Sequence, residues 1–374
     1  MIKLSQPSFL GVEGDLVESC LIDPPNLSMG GATRDFEEIF ADYIGTKHAI
    51  SCSSGTTALQ LVFQVIAESS ELVEGKPPAV FVPDLTYIAT ANAAALWRDR
   101  RARMRIIDVN YLTWNMETEA LEEASPQGGD IIIPVHLYGN PCNMDKIMDI
   151  AEKAGAYVIE DACQAHGAIY KGSKVGAIGD AGVFSFFGNK ILSCGEGGMI
   201  TTNDNHIARR CRYLRGQALG PQRYQHDEIG FNFRITELQS AIGVGQVMLA
   251  DNHLESRDDI EEMYKEKLKQ CDIAFQWALP DTRPVAWLET INLSGNYHRD
   301  SIMQDMYNNG VETRPGFIPI SEQRPYKGTP RYGGHSATTL SRNLLSLPTH
   351  ASLTEQDVDV VCGTLIEAMS KWQM

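Results

Sequence analysis

Short, almost continuously apolar runs alternate with amphipathic segments between His48 and about Thr202. The runs are HAISC, AVFVP, RIIDV, IIIPVHLYG, YVIEDA, GVFSFF and GGMITT. Because parallel strands are buried on both faces, this alternation predicts a mostly parallel sheet with helices on both sides. In such a sheet ligands bind at the carboxyl ends of the strands, so we expect functional residues directly after the runs.

The pattern changes after Arg234, where helical periodicity extends through ELQSAIGVGQVMLADNHLESRDDIEEMYKEKLK. A strand-like VAWLETINL, a further helix and a final helix follow, the last opened by a capping box of Ser352 and Glu355. We therefore predict a large α/β domain over 1–245, ending in the long helix, and a smaller α/β domain over 246–374.

Composition and charge exclude several classes of function. The chain has 374 residues, 43% of them hydrophobic, as expected for a globular protein of about two domains. Its formal net charge of -16 argues against general nucleic-acid binding. One arginine-rich run, 98–103, is interpreted as a solvated surface, with a nucleotide or partner contact as the alternative. No secretory signal or membrane-spanning stretch is evident, so we expect a cytoplasmic protein.

The eight cysteines, scattered from Cys20 to Cys362, include no CxxC pair. This spacing does not resemble a disulfide framework or a zinc site. We expect reduced core thiols and no metal site.

Two of the predicted strands are followed by residues that could hold a cofactor. The segment SCSSGTTAL, 51–59, opens a helix, where main-chain N–H groups and hydroxyls can bind an anion. Serine and threonine also cap helices without binding anything. In VIEDACQAH a strand ends at Asp161, with Gln164 three residues later. A buried carboxylate needs a partner, which is either a protonated ring nitrogen of a cofactor, or backbone N–H groups or an arginine.

A third strand precedes Lys190, in FSFFGNKILSCGEGGM. Phe184, Phe186 and Phe187 predict that this strand is buried and leads into the lysine. A partly desolvated amine has a lowered pKa and is a usable nucleophile, although a lysine at a strand edge is commonly only solvated. An anion cradle, an acid and a lysine, with Ser185 on the lysine strand, together match the needs of pyridoxal 5'-phosphate.

Five long segments, spread over nearly the whole chain, carry a family resemblance. They are HAISCSSGTTAL, PDLTYIATANA, IPVHLYGNPCNMDKIMDIAEKAGAYVIEDACQAHGA, GDAGVFSFFGNKILSCGEGGM and GFNFRITELQSAIGVGQ. The chain resembles the pyridoxal-phosphate-dependent nucleotide-sugar aminotransferases of the DegT/DnrJ/EryC1/StrS family. The resemblance implies an aspartate-aminotransferase-like fold, known as fold type I, which agrees with the predicted sheet and small domain.

The resemblance also implies roles for individual residues. Lys190 would form the Schiff base with pyridoxal 5'-phosphate, and Asp161 would pair with the pyridine nitrogen. The other implied cofactor contacts are Gly55, Thr56 and Ser185 at the phosphate, Tyr87 stacked on the ring, Gln164 near the ring hydroxyl, and Asn232 donated to the phosphate by the neighbouring subunit. The implied active unit is therefore a homodimer.

The implied reaction has two halves. L-glutamate leaves its amino group on the cofactor as pyridoxamine 5'-phosphate, and a nucleotide-linked keto sugar then takes it. The segments RGQALGPQRYQHDEIGFNFRITELQ and GVETRPGFIP resemble those of members that aminate C4 of GDP-4-keto-6-deoxymannose. The chain departs from them at Gln164, at SCGEGG and at Gln225, so a UDP- or dTDP-linked sugar is the alternative.

Three further residues are candidates for substrate binding, and two rival functions remain. Arg314 and Arg215 could bind the nucleotide sugar or serve structure alone, and His166 could face the sugar or lie in the core. A related sugar dehydratase is disfavoured because it has histidine where this chain has Lys190. A non-catalytic regulator of the same fold is the other rival. The family further implies a role in O-antigen (lipopolysaccharide) or other glycan biosynthesis.

Overall fold

The computed structural model describes residues 1–22, 27–28, 30–96, 103–293 and 295–373, without the side chains of 71–73. The helices are α1 (Val12–Ile22), α2 (Gly31–Ile44), α3 (Gly55–Glu74), α4 (Ala89–Ala95), α5 (Thr118–Glu123), α6 (Met144–Ala154), α7 (Asn205–Arg215), α8 (Glu237–Met248), α9 (Ala250–Leu268), α10 (Arg299–Asn308), α11 (Ser336–Asn343) and α12 (Glu355–Lys371). None of these helices combines the length and apolar character needed to cross a membrane.

The strands are β1 (His48–Cys52), β2 (Ala79–Pro83), β3 (Arg103–Ile107), β4 (Ile131–Ile132), β5 (Tyr157–Asp161), β6 (Ile169–Tyr170), β7 (Ser173–Lys174), β8 (Ala181–Ser185), β9 (Gly198–Thr202), β10 (Ile273–Phe275), β11 (Thr282–Arg283), β12 (Thr290–Leu293), β13 (Arg314–Pro315), β14 (Arg331–Tyr332) and β15 (Leu344–Ser346). The arginine run at 98–103 lies outside the described residues except for Arg103, which is exposed.

Eight strands form the large sheet in the order β1-β9-β8-β5-β4-β2-β3-β14. Strand β9 runs antiparallel to both of its neighbours, and all other pairs are parallel. All seven apolar runs overlap a strand of this sheet, so the predicted mostly parallel sheet is confirmed. The antiparallel β9 directly follows the segment that carries Lys190.

Neighbouring residues of a strand point to opposite faces of the sheet and enter different cores. Phe81 packs in a cluster with α2, whereas Val80 and Val82 pack in a second cluster with α3. The same alternation holds in β5, where Val158 joins the first cluster and Ile159 the second. Helices therefore cover both faces, as the continuous apolar runs predict.

The C-terminal part of the chain forms its own antiparallel sheet, in the order β10-β12-β15-β13. It also contributes β14 to the edge of the large sheet, next to β3. Arg331 of β14 donates from Nε to Asp84 Oδ2 at 2.6 Å, and its Nη2 lies 3.2 Å from Asp108 Oδ1. These buried carboxylates attach the C-terminal segment to the carboxyl ends of β2 and β3. The predicted division at 245 falls inside α8, and it stays a prediction.

Three details of the predicted C-terminal elements are wrong. The long helix is two helices, α8 and α9, because the backbone leaves helical geometry at Leu249, with φ of -112° and ψ of 18°. Only Thr290–Leu293 of the strand-like run is a strand. The cap of α12 is Thr354, which forms a reciprocal capping box with Asp357, whereas Ser352 Oγ hydrogen-bonds to His350 Nδ1 at 2.8 Å. A hydroxyl residue followed three positions later by an acidic residue occurs twice in this segment, first from Ser352 and again from Thr354. The sequence pattern alone does not distinguish the two.

The strand before Lys190 is also shorter than predicted. Strand β8 ends at Ser185, where its pairing with β9 ends, and Phe187 is 47% exposed rather than buried. Lys190 lies five residues further on, in a turn where its N–H donates to the carbonyl of Phe187 at 2.8 Å. The lysine is therefore positioned by a turn rather than by the strand itself.

Candidate active site

Strands β5 and β8 and helix α3 bring predicted site residues to one edge of the large sheet. Asp161 ends β5 and Ser185 ends the neighbouring parallel strand β8, in which Val183 is the register partner of Asp161. Helix α3 begins at Gly55, against this edge: a Cβ atom on Gly55 would lie 2.8 Å from Ser185 Cβ and 3.2 Å from Cys163 Sγ. Only glycine permits this approach, so the helix start, Ser185 and the segment after Asp161 form one packed cluster.

The start of α3 is suited to bind an anion. Ser54 Oγ accepts the N–H of Thr57 at 3.2 Å, and this bond caps the helix. The N–H groups of Gly55 and Thr56 belong to the first turn, which has no acceptors within the helix. They carry the positive end of the helix dipole, and the half-buried hydroxyl of Ser185 lies beside them. The cradle predicted from the sequence therefore has the donors that a phosphate group needs.

Asp161 is 5% exposed, and two neutral donors fix its carboxylate. Thr90 of α4 donates its hydroxyl to Oδ2 at 2.7 Å, and the backbone N–H of Cys163 donates to Oδ1 at 3.2 Å. No cation of the chain is hydrogen-bonded to this carboxylate among the described residues. A buried carboxylate of this kind fits the protonated ring nitrogen of a pyridine cofactor.

Lys190 is the candidate reactive amine, and it interacts electrostatically with Asp161 and Cys163 of the cluster. Burial lowers its pKa to about 8, an effect that the negative charge of Asp161 opposes and the positive charge of Arg314 reinforces. About a tenth of such an amine is neutral at pH 7, compared with about 0.03% for an ordinary lysine. Its Nζ lies 3.8 Å from the centroid of the Trp287 ring. The side chain can therefore act as a base and nucleophile near neutral pH.

A wall of aromatic rings borders the lysine. Tyr138 stacks on Trp287, with ring centroids 6.1 Å apart, and on Phe317, with centroids 5.6 Å apart. Tyr87 meets Phe317 at 6.1 Å and is 58% exposed, so its ring is accessible to a flat ligand. Gln164 is buried, and its Oε1 accepts the N–H of Tyr138 at 2.8 Å. Gln164 thus connects the segment after β5 to this wall.

Two candidate substrate residues have structural contacts. Arg215 donates from Nη1 to Glu37 Oε1 and to the carbonyl of Ser51, each at 2.6 Å. His166 is fully buried and packs against Phe184 and Phe186, with centroids at 5.4 and 5.2 Å. Burial, together with the charges of Lys190 and Arg257, lowers the pKa of His166 to about 3. These contacts favour the structural interpretation of both residues, since a fully buried ring cannot touch a sugar without rearrangement.

Arg314 and Asn232 are both exposed. Arg314 begins β13, close enough to lower the pKa of Lys190. Asn232 Oδ1 accepts from Arg234 Nε at 3.1 Å, and the next residue, Phe233, accepts the N–H of Ser53 at 2.8 Å. The Asn232 segment therefore packs beside the residues that lead into α3.

Sequence reasoning missed four residues of the site, namely Thr90, Tyr138, Trp287 and Phe317. Thr90 lies three residues after Tyr87, and its N–H donates to the carbonyl of Tyr87 at 3.4 Å in the turn that leads into α4. This short spacing could have indicated a shared site. The contact of Thr90 with Asp161 joins residues 71 positions apart. Trp287 lies in a run interpreted as a strand, and no pattern in it indicated a contact with Lys190.

A mostly parallel sheet that carries a lysine, an aspartate and a helix start at one edge defines a pyridoxal-phosphate enzyme of the aspartate-aminotransferase fold. The profile of the DegT/DnrJ/EryC1/StrS aminotransferase family matches residues 17–366, and the chain belongs to this family. These findings confirm the predicted family, fold class and aminotransferase chemistry, with pyridoxal 5'-phosphate as the cofactor.

Relatives match over almost the full length. GDP-perosamine synthase of Caulobacter vibrioides is 39% identical over 373 residues, which are 98% of each chain. GDP-perosamine synthase of Escherichia coli O157:H7 is 34% identical over 371 residues, which are 99% of each chain. The crystal structure of a DegT DnrJ EryC1 StrS aminotransferase from Brucella abortus superposes with a TM-score of 0.85 at 28% identity, over 96% of this chain and 95% of that one.

Proposed function

We propose that this enzyme transfers an amino group from L-glutamate to C4 of GDP-4-keto-6-deoxy-D-mannose and so produces GDP-perosamine. The observation that carries the transamination is the cluster of Lys190, Asp161, Ser185 and the start of α3 at one sheet edge. The choice of sugar is supported by two GDP-perosamine synthases that match nearly the whole chain at 39% and 34% identity.

Each residue of the cluster has a distinct task in this proposal. Bound pyridoxal 5'-phosphate supplies an electron sink for the charge that develops at the carbon next to nitrogen. Gly55, Thr56 and Ser185 would hold the phosphate, Asp161 would hold the ring nitrogen in its protonated form, and Tyr87 would cover the ring. Nζ of Lys190, as a neutral amine, would take the proton from Cα of glutamate and return it as an ammonium group.

We further propose a homodimer in which Asn232 reaches the phosphate site of the neighbouring subunit. Its exposed side chain supports this arrangement, because the residue lies beside the segment leading into α3 without being buried there. The cytoplasmic location and the role in O-antigen or other glycan biosynthesis stay predictions from the sequence.

The visible spectrum of the bound cofactor tests both half-reactions. We expect L-glutamate to bleach the visible band and, after its removal, GDP-4-keto-6-deoxymannose to restore the band. The matched controls are the UDP- and dTDP-linked 4-keto-6-deoxy sugars at the same concentration. If only one of these control sugars restored the visible band, that sugar would be the acceptor in place of GDP-4-keto-6-deoxymannose. The proposal of transamination would still stand. A spectrum that glutamate leaves unchanged would contradict the aminotransferase proposal itself.

Arg314→Ala should weaken binding of the nucleotide sugar. The chain has a net charge of -16, so an anionic nucleotide needs local positive charge, and Arg314 is an exposed cation near Lys190. We expect KM for the nucleotide sugar to rise about tenfold, with KM for glutamate changed much less. The matched control is Arg103→Ala. Arg103 is an exposed arginine at the amino end of β3, whereas the candidate site lies at the carboxyl ends of the strands. Equal changes in both KM values would exclude this role for Arg314.

A further inference from the structure

The indole of Trp287 contacts the lysine segment in two ways. Its Nε1–H donates to the carbonyl of Asn189 at 2.7 Å, and the centroid of its ring lies 3.8 Å from Nζ of Lys190. Trp287 is 3% exposed, so the indole side of both contacts is buried, whereas Asn189 and Lys190 are half-buried. The edge of the indole therefore fixes the residue before Lys190, and its face contacts the amino group.

The indole is itself firmly held. Arg257, a buried residue of α9, donates from Nη1 to the carbonyls of Ala286 at 3.0 Å and of Trp287 at 2.9 Å. Tyr138 lies on the indole at an interplanar angle of 18°. The position of the ring is thus set by α9 on one side and by the aromatic wall on the other.

We propose that Trp287 is a positioning residue for proton transfer, which holds the amino group of Lys190 over its ring face whenever the lysine is not bonded to the cofactor. The face of an indole attracts an ammonium ion more than a neutral amine, most strongly where water is excluded. The contact therefore favours the protonated form and keeps it in one place. This inference rests on the proposed function, because it takes Lys190 as the group that moves the proton.

The proton balance requires both forms of the amine. Nζ accepts one proton from carbon as a neutral amine and gives up one proton as an ammonium group, so it ends each half-reaction as it began. Burial favours the neutral form, and the indole opposes this effect. The other titratable and charged groups that act on Lys190 are Cys163 and Asp161 at the end of β5 and Arg314 on β13. The buried His166 is affected by Lys190, whose charge helps to lower the pKa of the imidazole.

The test uses fluorinated tryptophans, which weaken the electrostatic attraction of the ring face and keep its shape and its N–H group. The enzyme in its pyridoxamine 5'-phosphate form is mixed with 2-oxoglutarate, and the single-turnover rate is followed by absorbance between pH 6 and 9. We expect the acid limb of the profile to move to lower pH with each added fluorine, by about 0.5 to 1 unit in total, because the base then loses its proton more easily.

A second readout does not depend on turnover. The rate at which acetic anhydride modifies Lys190 in the pyridoxamine 5'-phosphate form reports the neutral fraction of the amine and is measured by mass spectrometry of the peptide. Its pH dependence should shift with fluorination in the same direction. All five tryptophans of the chain are labelled, so the control is the Trp287→Phe variant labelled with the same fluorinated tryptophans. Its pH profile should not respond to fluorination.

Profiles that stay fixed in the wild type, or that shift equally in the Trp287→Phe control, would overturn the proposal. The experiment uses no sugar, so an incorrect acceptor leaves it unaffected. A Lys190→Ala enzyme that retained the single turnover would instead disprove the proton-transfer role on which the inference rests. The two failures are therefore distinguishable.

Discussion

Replacing Lys190 with alanine is expected to lower the rate of amino transfer at least about a thousandfold. The variant loses the amine that burial keeps partly neutral near pH 8, and general acid–base catalysis alone contributes about 10²- to 10⁴-fold. The fold should persist, because the described contacts of the side chain are with the Trp287 ring rather than with an ion pair. Single-turnover absorbance with L-glutamate measures the loss, and circular dichroism confirms the fold.

The matched control for this variant is Lys171→Ala. Lys171 is exposed and pairs with Asp145 on the surface, so its removal should leave the rate unchanged. A Lys190→Ala rate within tenfold of the wild type would contradict the assignment. In the wild type, where burial lowers the pKa of Lys190 to about 8, the rate should rise with pH and level off above that value.

The same variant tests the proposed dimer. If Asn232 of one subunit completes the site of the other, a mixed dimer of Lys190→Ala and Asn232→Ala subunits has one site with both defects and one intact site. Mixing the two inactive homodimers under conditions of subunit exchange should therefore restore up to about a quarter of the wild-type activity. No restoration, with exchange verified by mass spectrometry, would place Asn232 in its own subunit's site or outside the site.

The sheet was predictable because its signal is local. Each run between His48 and Thr202 places apolar side chains on both faces of a strand, and each run overlaps one strand of the sheet. The break at Leu249 and the edge strand β14 were not predictable, because both depend on what the chain packs against. Arg331, for example, is a surface residue by its type and becomes an anchor only where Asp84 and Asp108 are buried.

The same distinction applies to the site. Asp161 and Ser185 end strands and Gly55 opens a helix that the pattern defines, so the general rule about strand ends was enough to indicate them as candidates. Thr90 and Trp287 act on Asp161 and Lys190 across 71 and 97 positions of the chain, and no local spacing encodes such contacts. For Arg215 and His166 the sequence left a binding role and a structural role open, and the contacts of Arg215 with Glu37 and of His166 with Phe186 favour the structural one.

Asp161→Asn is expected to reduce the rate of amino transfer about a thousandfold, which corresponds to about 4 kcal/mol of transition-state stabilisation. In the wild type the hydroxyl of Thr90 donates a hydrogen bond to Oδ2 at 2.7 Å, and the amide oxygen of the variant can still accept this bond. The amide carries no negative charge, however, and cannot keep a pyridine nitrogen protonated. If charge is what the variant lacks, a cofactor methylated at the ring nitrogen, which is permanently cationic, should recover part of the lost rate in the variant and add nothing in the wild type.

Asp130→Asn is the matched control, because Asp130 is also a buried aspartate but lies at the amino end of β4. Its Oδ1 accepts the N–H of Ala79 at 2.7 Å and its Oδ2 that of Gln127 at 2.9 Å. This variant should lose about 1–3 kcal/mol of unfolding free energy and keep its rate per folded molecule. If Asp161→Asn instead lost stability to the same extent, kept its rate and ignored the methylated cofactor, Asp161 would be a structural carboxylate, and the ring nitrogen would need another partner.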